Sequence, residues 1–356
     1  MRVRLWRQDV AIHTPIQAAG QCHDRRGRLF LAVEFHDVTG YGEVAPQPEP
    51  LHGDPGIVDV INEVQAYVLP QLRRIVDREG ELPSWSRVAR LAGPRPASAQ
   101  AVALVEMALL DREMCSMGCS ILDVWPAKVV TPLQATVSLI DGASEWRVPE
   151  GVARVRVKTV PGALDVRSLE RLSSLVVPVL LDFNCSATGD AEVIEQVEAV
   201  GRVARLSGVE QPFAPGNVIE HARLAEQLDV PVSIDEGVRS LRDIDQLVRY
   251  RAAQIVCVKP ARVGGLANAR TIIARAQEAG LRPYVGGFFE SPYARRVHRH
   301  LANTGVSEPS DLSPVALDLL GYDHEVEPTR VSFGVRPSSE MLHEATLVAL
   351  EGSMWI

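Results

Sequence analysis

The stretch PVSIDEG, residues 231–237, decides how this chain is read. A run of β-branched and apolar residues ends there in two adjacent acids, Asp235 and Glu236. An acid just past a strand often caps the next helix by accepting its free backbone N–H groups. Capping accounts for one such acid, so the question is whether Asp235 stands alone. Similar strand-like runs recur at 133–139 (LQATVSL), 153–159 (ARVRVKT), 178–184 (PVLLDFN), 207–212 (SGVEQP), 254–260 (QIVCVKP) and 282–288 (RPYVGGF), with a weaker eighth at 310–314 (SDLSP). Segments of helical period lie between most of them, and strand alternating with helix implies parallel βαβ units. Eight such strands close a (β/α) barrel. The span 130–322 is short for that fold, and the shortage falls at 140–151 (IDGASEWRVPEG), which holds only a stub of helix. An open doubly wound sheet would carry a Gly-rich turn after its first strand. None is present.

Residues 1–125 follow another pattern. The alternating runs RVRLWRQDV (2–10) and RLFLAVEFHDV (28–38) lead into TGYGEVAPQP (39–48), read as a turn, and then into helical stretches near 56–75 and 97–118. This is an α+β domain on a small antiparallel sheet. The strand-like PTRVSFGVRP (328–337) is expected to return to it, so that the segment 325–356 completes the first domain.

Bulk properties exclude several function classes. A net charge of −8 argues against a nucleic-acid partner. No apolar run approaches the roughly 20 residues that span a bilayer, and the N-terminus lacks the apolar core of a signal peptide. Five cysteines without a framework spacing fit a reducing cytoplasm. Cys115 and Cys119 sit four apart with no second ligand pair, which favours buried thiols over zinc. No phosphate-binding glycine loop is present.

Asp235 is not alone. Asp182 and Asn184 end the third barrel strand, Glu210 the fourth, Asp235 and Glu236 the fifth, and Lys259 the sixth; Arg156 and Lys158 lie in the second, and Glu290 follows the seventh. From Lys158 to Asp182, Glu210, Asp235 and Lys259 the intervals are 24, 28, 25 and 24 residues, one βα unit each. All these groups therefore point to the C-terminal mouth of the barrel, where such folds place their active sites. Buried charges without partners are costly, so three converging carboxylates call for a cation. Three oxygen donors, completed by water or substrate, suit octahedral Mg²⁺.

The series VRVKT, LDFN, VEQP, IDE and VKPARVGG resembles the enolase superfamily in its muconate-lactonising subgroup. That subgroup pairs an α+β capping domain with a (β/α)₇β TIM-like barrel. GYGEVAP (40–46) looks like its capping-domain turn, and VEMALLDREMCSMG (105–118) like the helix that links cap to barrel. The resemblance implies Asp182, Glu210 and Asp235 as ligands of Mg²⁺, with Mn²⁺ as the alternative ion. It makes Lys158 the second lysine of K-x-K and Lys259 the opposing lysine on strand six. GGFFES (286–291) is similar to an element of o-succinylbenzoate synthases and N-succinylamino acid racemases. Three departures bear on substrate rather than on metal: Arg156 replaces the first lysine of K-x-K, Pro292 and Ala294 stand where relatives carry glycines while Arg295 keeps its place, and DFNCSAT lacks the usual aromatic.

The chemistry implied is abstraction of a proton α to a carboxylate through an enediolate, with a lysine base. Lys158 must then be neutral near pH 7, which nearby cations and burial promote. Asn184 and Glu236 would orient the ligands, and Glu290 would orient them or touch substrate. The loops at 16–28 (IQAAGQCHDRRGR), with Gly20 as a candidate substrate contact, and at 46–54 (PQPEPLHGD) would fold over the barrel and select a small-molecule carboxylate. Dehydration of the o-succinylbenzoate synthase type is favoured, with N-acylamino acid racemisation, muconate-type cycloisomerisation and dipeptide epimerisation as alternatives. SDLSP disfavours the epimerase, because Ser313 takes the second position of its D-x-D. From other classes, a Schiff-base aldolase or lyase would use Lys259 but leave the acids unexplained, and a non-catalytic binding protein has only Arg156 in its favour. His298 and His300 read as part of a solvated basic helix face, and Cys185 and Cys257 as packing. Relatives are often homo-oligomers.

Overall fold

The computed structural model describes residues 1–18, 21–91, 95–139, 148–312 and 326–350. Gly20, Ser313 and most of 140–151 lie outside these residues.

Strands β1 (Arg2–Ala18) and β2 (Gln21–Phe35) form a long antiparallel hairpin, and β3 (Val38–Val44) returns along β2. Alternation sorts the side chains of β1. Val3 and Leu5 pack with the helices Ile57–Glu63, Leu69–Glu79 and Pro96–Met117, whereas Trp6 joins Phe30, Ala32 and Met341 on the other face. His36 and Asp37 connect β2 to β3 with φ of 51° and 59°, the positive pair that a type I′ hairpin turn requires. The chain thus turns three residues earlier than its glycines suggested, and TGYGEV is strand. Gly40 and Gly42 are needed for another reason. A Cβ on Gly40 would lie 2.3 Å from Ala108 O, and one on Gly42 would lie 2.1 Å from Leu104 O. The helix Pro96–Met117 lies directly on the backbone of β3, and only glycine permits that approach. The first cap helix also runs beyond its expected end, through the π-helical segment Val64–Val68 to Glu79.

Seven parallel strands follow, adjacent in chain order: β4 (Gln134–Ser138), β5 (Arg154–Lys158), β6 (Val179–Asp182), β7 (Leu206–Glu210), β8 (Val232–Ile234), β9 (Ile255–Val258) and β10 (Arg282–Val285). At the expected eighth strand, the described residues Ser310 and Asp311 bond to both edges of this sheet. Gln134 N–H donates to Ser310 O (3.0 Å), Val285 N–H to Ser310 Oγ (3.1 Å) and Asp311 N–H to Val285 O (3.0 Å), which joins the two edges into a barrel. In β5, Val155 and Val157 face the apolar shell under the outer helices, while Arg154, Arg156 and Lys158 face the barrel interior. Arg154 clamps the seam, donating to Gln134 Oε1 (2.8 Å), Glu308 Oε2 (3.2 Å) and Pro309 O (2.9 Å).

Two parts of the C-terminal segment meet residues 1–125: Ser332 donates to Asp111 Oδ1 and to Cys119 O, and Thr346–Leu347 pair with β1. PTRVSFGVRP does not join the cap sheet. It contributes to the hairpin β11 (Val326–Pro328) and β12 (Val335–Pro337), beside the helix Pro292–Ala302. Strand β13 (Thr346–Leu347), further on, is the one that pairs with β1. Among the described residues, no helix is long and apolar enough to cross a membrane.

Candidate active site

Strand register builds the first row of the site. Lys158 stands beside Asp182, Asp182 beside Glu210, and Glu210 beside Ser233. Asp235 follows β8 two residues past Ser233, and Lys259 follows β9 directly. All five charged groups are buried, Asp182 and Glu210 completely. Lys158 Nζ donates to Asp182 Oδ2 and Asn184 Oδ1, both at 2.7 Å, and Lys259 Nζ donates to Asp235 Oδ2 at 2.8 Å. Asn184 donates through its backbone to Asp182 Oδ1 (3.0 Å) and through Nδ2 to Glu236 Oε1 (3.2 Å). Asn184 thus contacts Asp182 directly, and Glu236 is linked to it through Asn184.

The chain leaves these strands under backbone strain. Asn184, Cys185 and Gln211 have φ of 43°, 65° and 38°, a region that non-glycine residues seldom occupy and that surrounding contacts must hold. Gln211 shows how. Its Oε1 accepts the N–H groups of Asp235 (3.0 Å) and Gly237 (3.1 Å), while its Nε2 donates to Phe213 O (2.8 Å). Glycine has a different task after β10. A Cβ on Gly286 would lie 3.2 Å from Lys259 Cε and 2.6 Å from Cys257 Sγ, so Gly286 leaves room for the lysine stem.

Arg156 turns to acids on three sides. Its Nη1 donates to Glu210 Oε1 (3.1 Å), its Nη2 to Asp311 Oδ2, and its Nε lies 3.3 Å from Thr136 Oγ1 and 3.7 Å from Asp182 Oδ2. The second oxygen of Glu210 accepts the Tyr284 hydroxyl.

Electrostatics follow from this crowding. Burial, and then the charge of Asp182, push the Glu210 carboxyl up to about 8; burial, and then Asp235 and Asp182, push Glu236 up to about 7. Burial works the same way on Asp235, but Lys259 and Arg262 overcome it and hold that carboxyl well below the usual range. For Lys259, burial is outweighed by Asp235, so its ammonium is held more firmly than an ordinary lysine's.

The donor set fits a hard divalent cation: three carboxylates on neighbouring strand ends, with Glu236 Oε2 buried beside them and lacking a hydrogen-bond partner. Each ionised carboxylate offers about four lone-pair sites, so the hydrogen bonds described leave capacity for an ion. As the side chains lie, each acid is drawn to its own cation, and among the described residues no three acid, His or Cys side chains stand close enough to enclose an ion.

The cap reaches this site through the loop 46–54. Arg262 Nη2 donates to Asp54 Oδ2 (2.8 Å) and Nη1 to Asp235 Oδ1 (2.5 Å), while Arg239 donates to the carbonyls of His52 (2.8 Å) and Gly53 (3.1 Å). The other expected loop, 16–28, is largely paired strand: the β1–β2 register resumes at Ile16–His23 after an irregularity. Beside it, Arg28 Nε donates to Phe289 O (3.1 Å), and the guanidinium of Arg26 lies over the Phe289 ring at 5.4 Å.

Glu290 and Arg295 form a separate buried cluster. Glu290 Oε2 accepts Phe288 N–H (2.7 Å), and Arg295 Nε donates to Glu290 O (3.3 Å). Glu43, from GYGEVAP, accepts Ser291 N–H (2.6 Å) at the start of the helix Pro292–Ala302. The expected solvated histidines are a correction. His298 is buried and His300 half-buried, because β3, β10 and β12 cover that helix and leave Arg296 as its exposed cation. Burial raises the thiols of Cys185 and Cys257 above their ordinary range, consistent with packing, whereas Cys115 and Cys119 are half-buried rather than buried.

Residues 138–337 match the family model described as Enolase C-terminal domain-like. The chain belongs to that family. An N-succinylamino acid racemase of Amycolatopsis sp is 26% identical over 97% of this chain and 96% of its own length. An o-succinylbenzoate synthase of Bacillus subtilis strain 168 is 27% identical over 80% of this chain and 78% of its own. A solved structure of an enolase-superfamily member from Listeria innocua Clip11262 superposes with a TM-score of 0.81 at 19% identity, covering 98% of this chain and 99% of that one. The relatives so named are enzymes, and the fold is that of the enolase-superfamily barrels.

Sequence reasoning missed Gln211, Arg262, Asp54, Tyr284 and Asp311. Tyr284 and Asp311 lay in runs already read as strands, and their inward position was available from the two-residue period. Arg262 and Asp54 meet across 208 residues of chain, which no local pattern reports.

Proposed function

We propose that this chain removes a proton from the carbon α to a substrate carboxylate, with Asp182, Glu210 and Asp235 holding Mg²⁺ or, in its place, Mn²⁺. One observation carries this reading: two buried lysines, on β5 and just past β9, each bonded to an outer member of the acid series. Such an ion, when held by these three acids, would supply charge stabilisation to the substrate carboxylate. Lys158 takes the proton, and Asn184 and Asp182 receive the resulting ammonium. Lys259 stays cationic, bonded to Asp235 and 4.8 Å from the centre of the Phe288 ring. Gln211 and Arg262 keep Asp235 in place, and the cap, residues 1–125 with 325–356, selects the substrate.

The net reaction favoured is dehydration of the o-succinylbenzoate synthase type, on a small-molecule carboxylate in the cytoplasm. Racemisation of an N-acylamino acid is the second reading, because the two lysines mirror one another across the acids and racemisation needs a base on each face. Epimerisation of dipeptides has less support: Asp311 is engaged by Arg156 and does not offer itself to a substrate ammonium.

A panel of succinylbenzoate precursors and N-acylamino acids, followed by aromatic absorbance and by deuterium uptake from solvent, tests the reading. Turnover that EDTA abolishes and Mg²⁺ restores supports it. Turnover that survives EDTA, with a borohydride-trapped adduct at Lys259, overturns it.

A further inference from the structure

We infer that Arg156 is a positioning residue whose guanidinium, together with the Tyr284 hydroxyl, fixes Glu210 for its part as an ion ligand and ties it to Asp311. This rests on the ion site proposed above and adds a role for the residue that departs from K-x-K. A lysine presents one nitrogen on a flexible stem, whereas arginine presents five N–H donors in a rigid planar fork. Here Nη1 and Nη2 go to Glu210 and Asp311, while Nε faces Thr136 and Asp182. No single ammonium reaches that set.

Burial makes the arrangement exacting. Arg156 is 5% exposed and Glu210 fully buried, so a lost partner leaves an uncompensated charge in the barrel. Glu210 has both oxygens held from the barrel wall, one by Arg156 on β5 and one by Tyr284 on β10. Its carboxylate plane is therefore set before any ion arrives. Asp311 follows Ser310, whose backbone bonds to β4, so the same guanidinium also binds that closing segment to the acid row.

Mn²⁺ affinity, measured by calorimetry and by its EPR signal, tests the inference in wild type, Arg156→Lys, Tyr284→Phe, Asp311→Asn and the Arg156→Lys/Asp311→Asn pair. Arg156→Lys and Tyr284→Phe are each expected to weaken Mn²⁺ binding by about 10–100-fold, the usual loss when a residue supporting a ligand is removed. Excess ion should then restore kcat, which a merely structural role would not allow. Asp311→Asn should weaken binding in the wild-type background and add little to Arg156→Lys, because the contact it breaks is already gone. Wild-type Mn²⁺ affinity in both Arg156→Lys and Tyr284→Phe would overturn the inference; if Arg156→Lys does not fold, Tyr284→Phe decides alone. A wild type that binds no Mn²⁺, with or without substrate, overturns the proposed function and this inference together. Binding by wild type with unchanged variants overturns the inference alone.

Discussion

Replacing Glu106 by glutamine should remove one pH-dependent contribution to this protein's stability. Glu106 lies fully buried in the helix Pro96–Met117 and accepts the backbone N–H groups of Leu266 and Ala267, the latter at 3.1 Å, at the start of the helix Leu266–Glu278. The glycine pair before that helix makes room for it: a Cβ on Gly265 would stand 2.1 Å from Glu106 Oε2. Burial pushes this carboxyl from 4.5 up to about 8, and the two N–H groups recover only part of the cost of its charge. A carboxyl raised in the folded state contributes stability that is full below the unfolded value and is lost as pH rises through the folded one. At about 1.4 kcal/mol per pH unit, the loss between those limits is on the order of 5 kcal/mol. Glutamine keeps the shape and one acceptor oxygen but has no proton to lose. At pH 5 the variant should be less stable than wild type by about 1 kcal/mol, the worth of one hydrogen bond. The difference should shrink as pH rises and reverse by about pH 9. Urea unfolding midpoints from pH 5 to pH 9 measure this directly. A difference that stays constant across the range would refute the reasoning, since it would mean that Glu106 does not change its charge in the folded state.

Further outcomes follow from geometry already described. Gly42→Ala forces the helix Pro96–Met117 off β3 and should cost about 1–3 kcal/mol or more, the usual range for overpacking; an unchanged thermal midpoint would show that the sheet can yield there. Arg154→Met removes the clamp on the barrel seam and should destabilise by about 3 kcal/mol or more, read by urea unfolding, with a loss below about 0.5 kcal/mol counting against a clamp. Lys158→Ala should lower turnover by about 10²–10⁴-fold or more, whereas Lys259→Arg should retain part of a dehydration activity. On a racemase substrate Lys259→Arg should stop racemisation while one enantiomer still exchanges its α-proton with solvent, which deuterium NMR detects.

The barrel and its row of acids were legible because both depend on local period. A strand places one polar residue at its end and the next strand arrives one βα unit later, so Asp182, Glu210, Asp235 and Lys259 announce themselves by interval. Glycine was harder to read. The same residue serves turns and close packing, and Gly40 and Gly42 look alike in sequence under either use; the helix that requires them begins more than 50 residues later. His298 was misjudged because its neighbours Arg295, Arg296 and Arg299 suggest solvent, while β3 and β12, far away in the chain, cover the helix. Arg156 could be recognised as a departure from its family's pattern. What it does could not be read, since Asp311 lies 155 residues away and Tyr284 acts on the far side of Glu210.

The segment that closes the barrel seam has a consequence for the order in which the chain is made. Arg154 and Arg156 emerge early, on the second barrel strand, but Glu308 and Asp311 arrive about 150 residues later. Until then the growing sheet holds two guanidiniums that its own strands only partly neutralise, and a dry interior would be costly to form around them. The incomplete barrel is therefore expected to stay wet and open at its seam, and to close when residues 308–311 appear. Ribosome-bound chains ending near residue 300 should accordingly be cleaved readily by protease within the barrel strands, whereas chains that include the clamp and the cap's returning strand should resist. On this view the late acids do more than stabilise the finished enzyme: they time its closure.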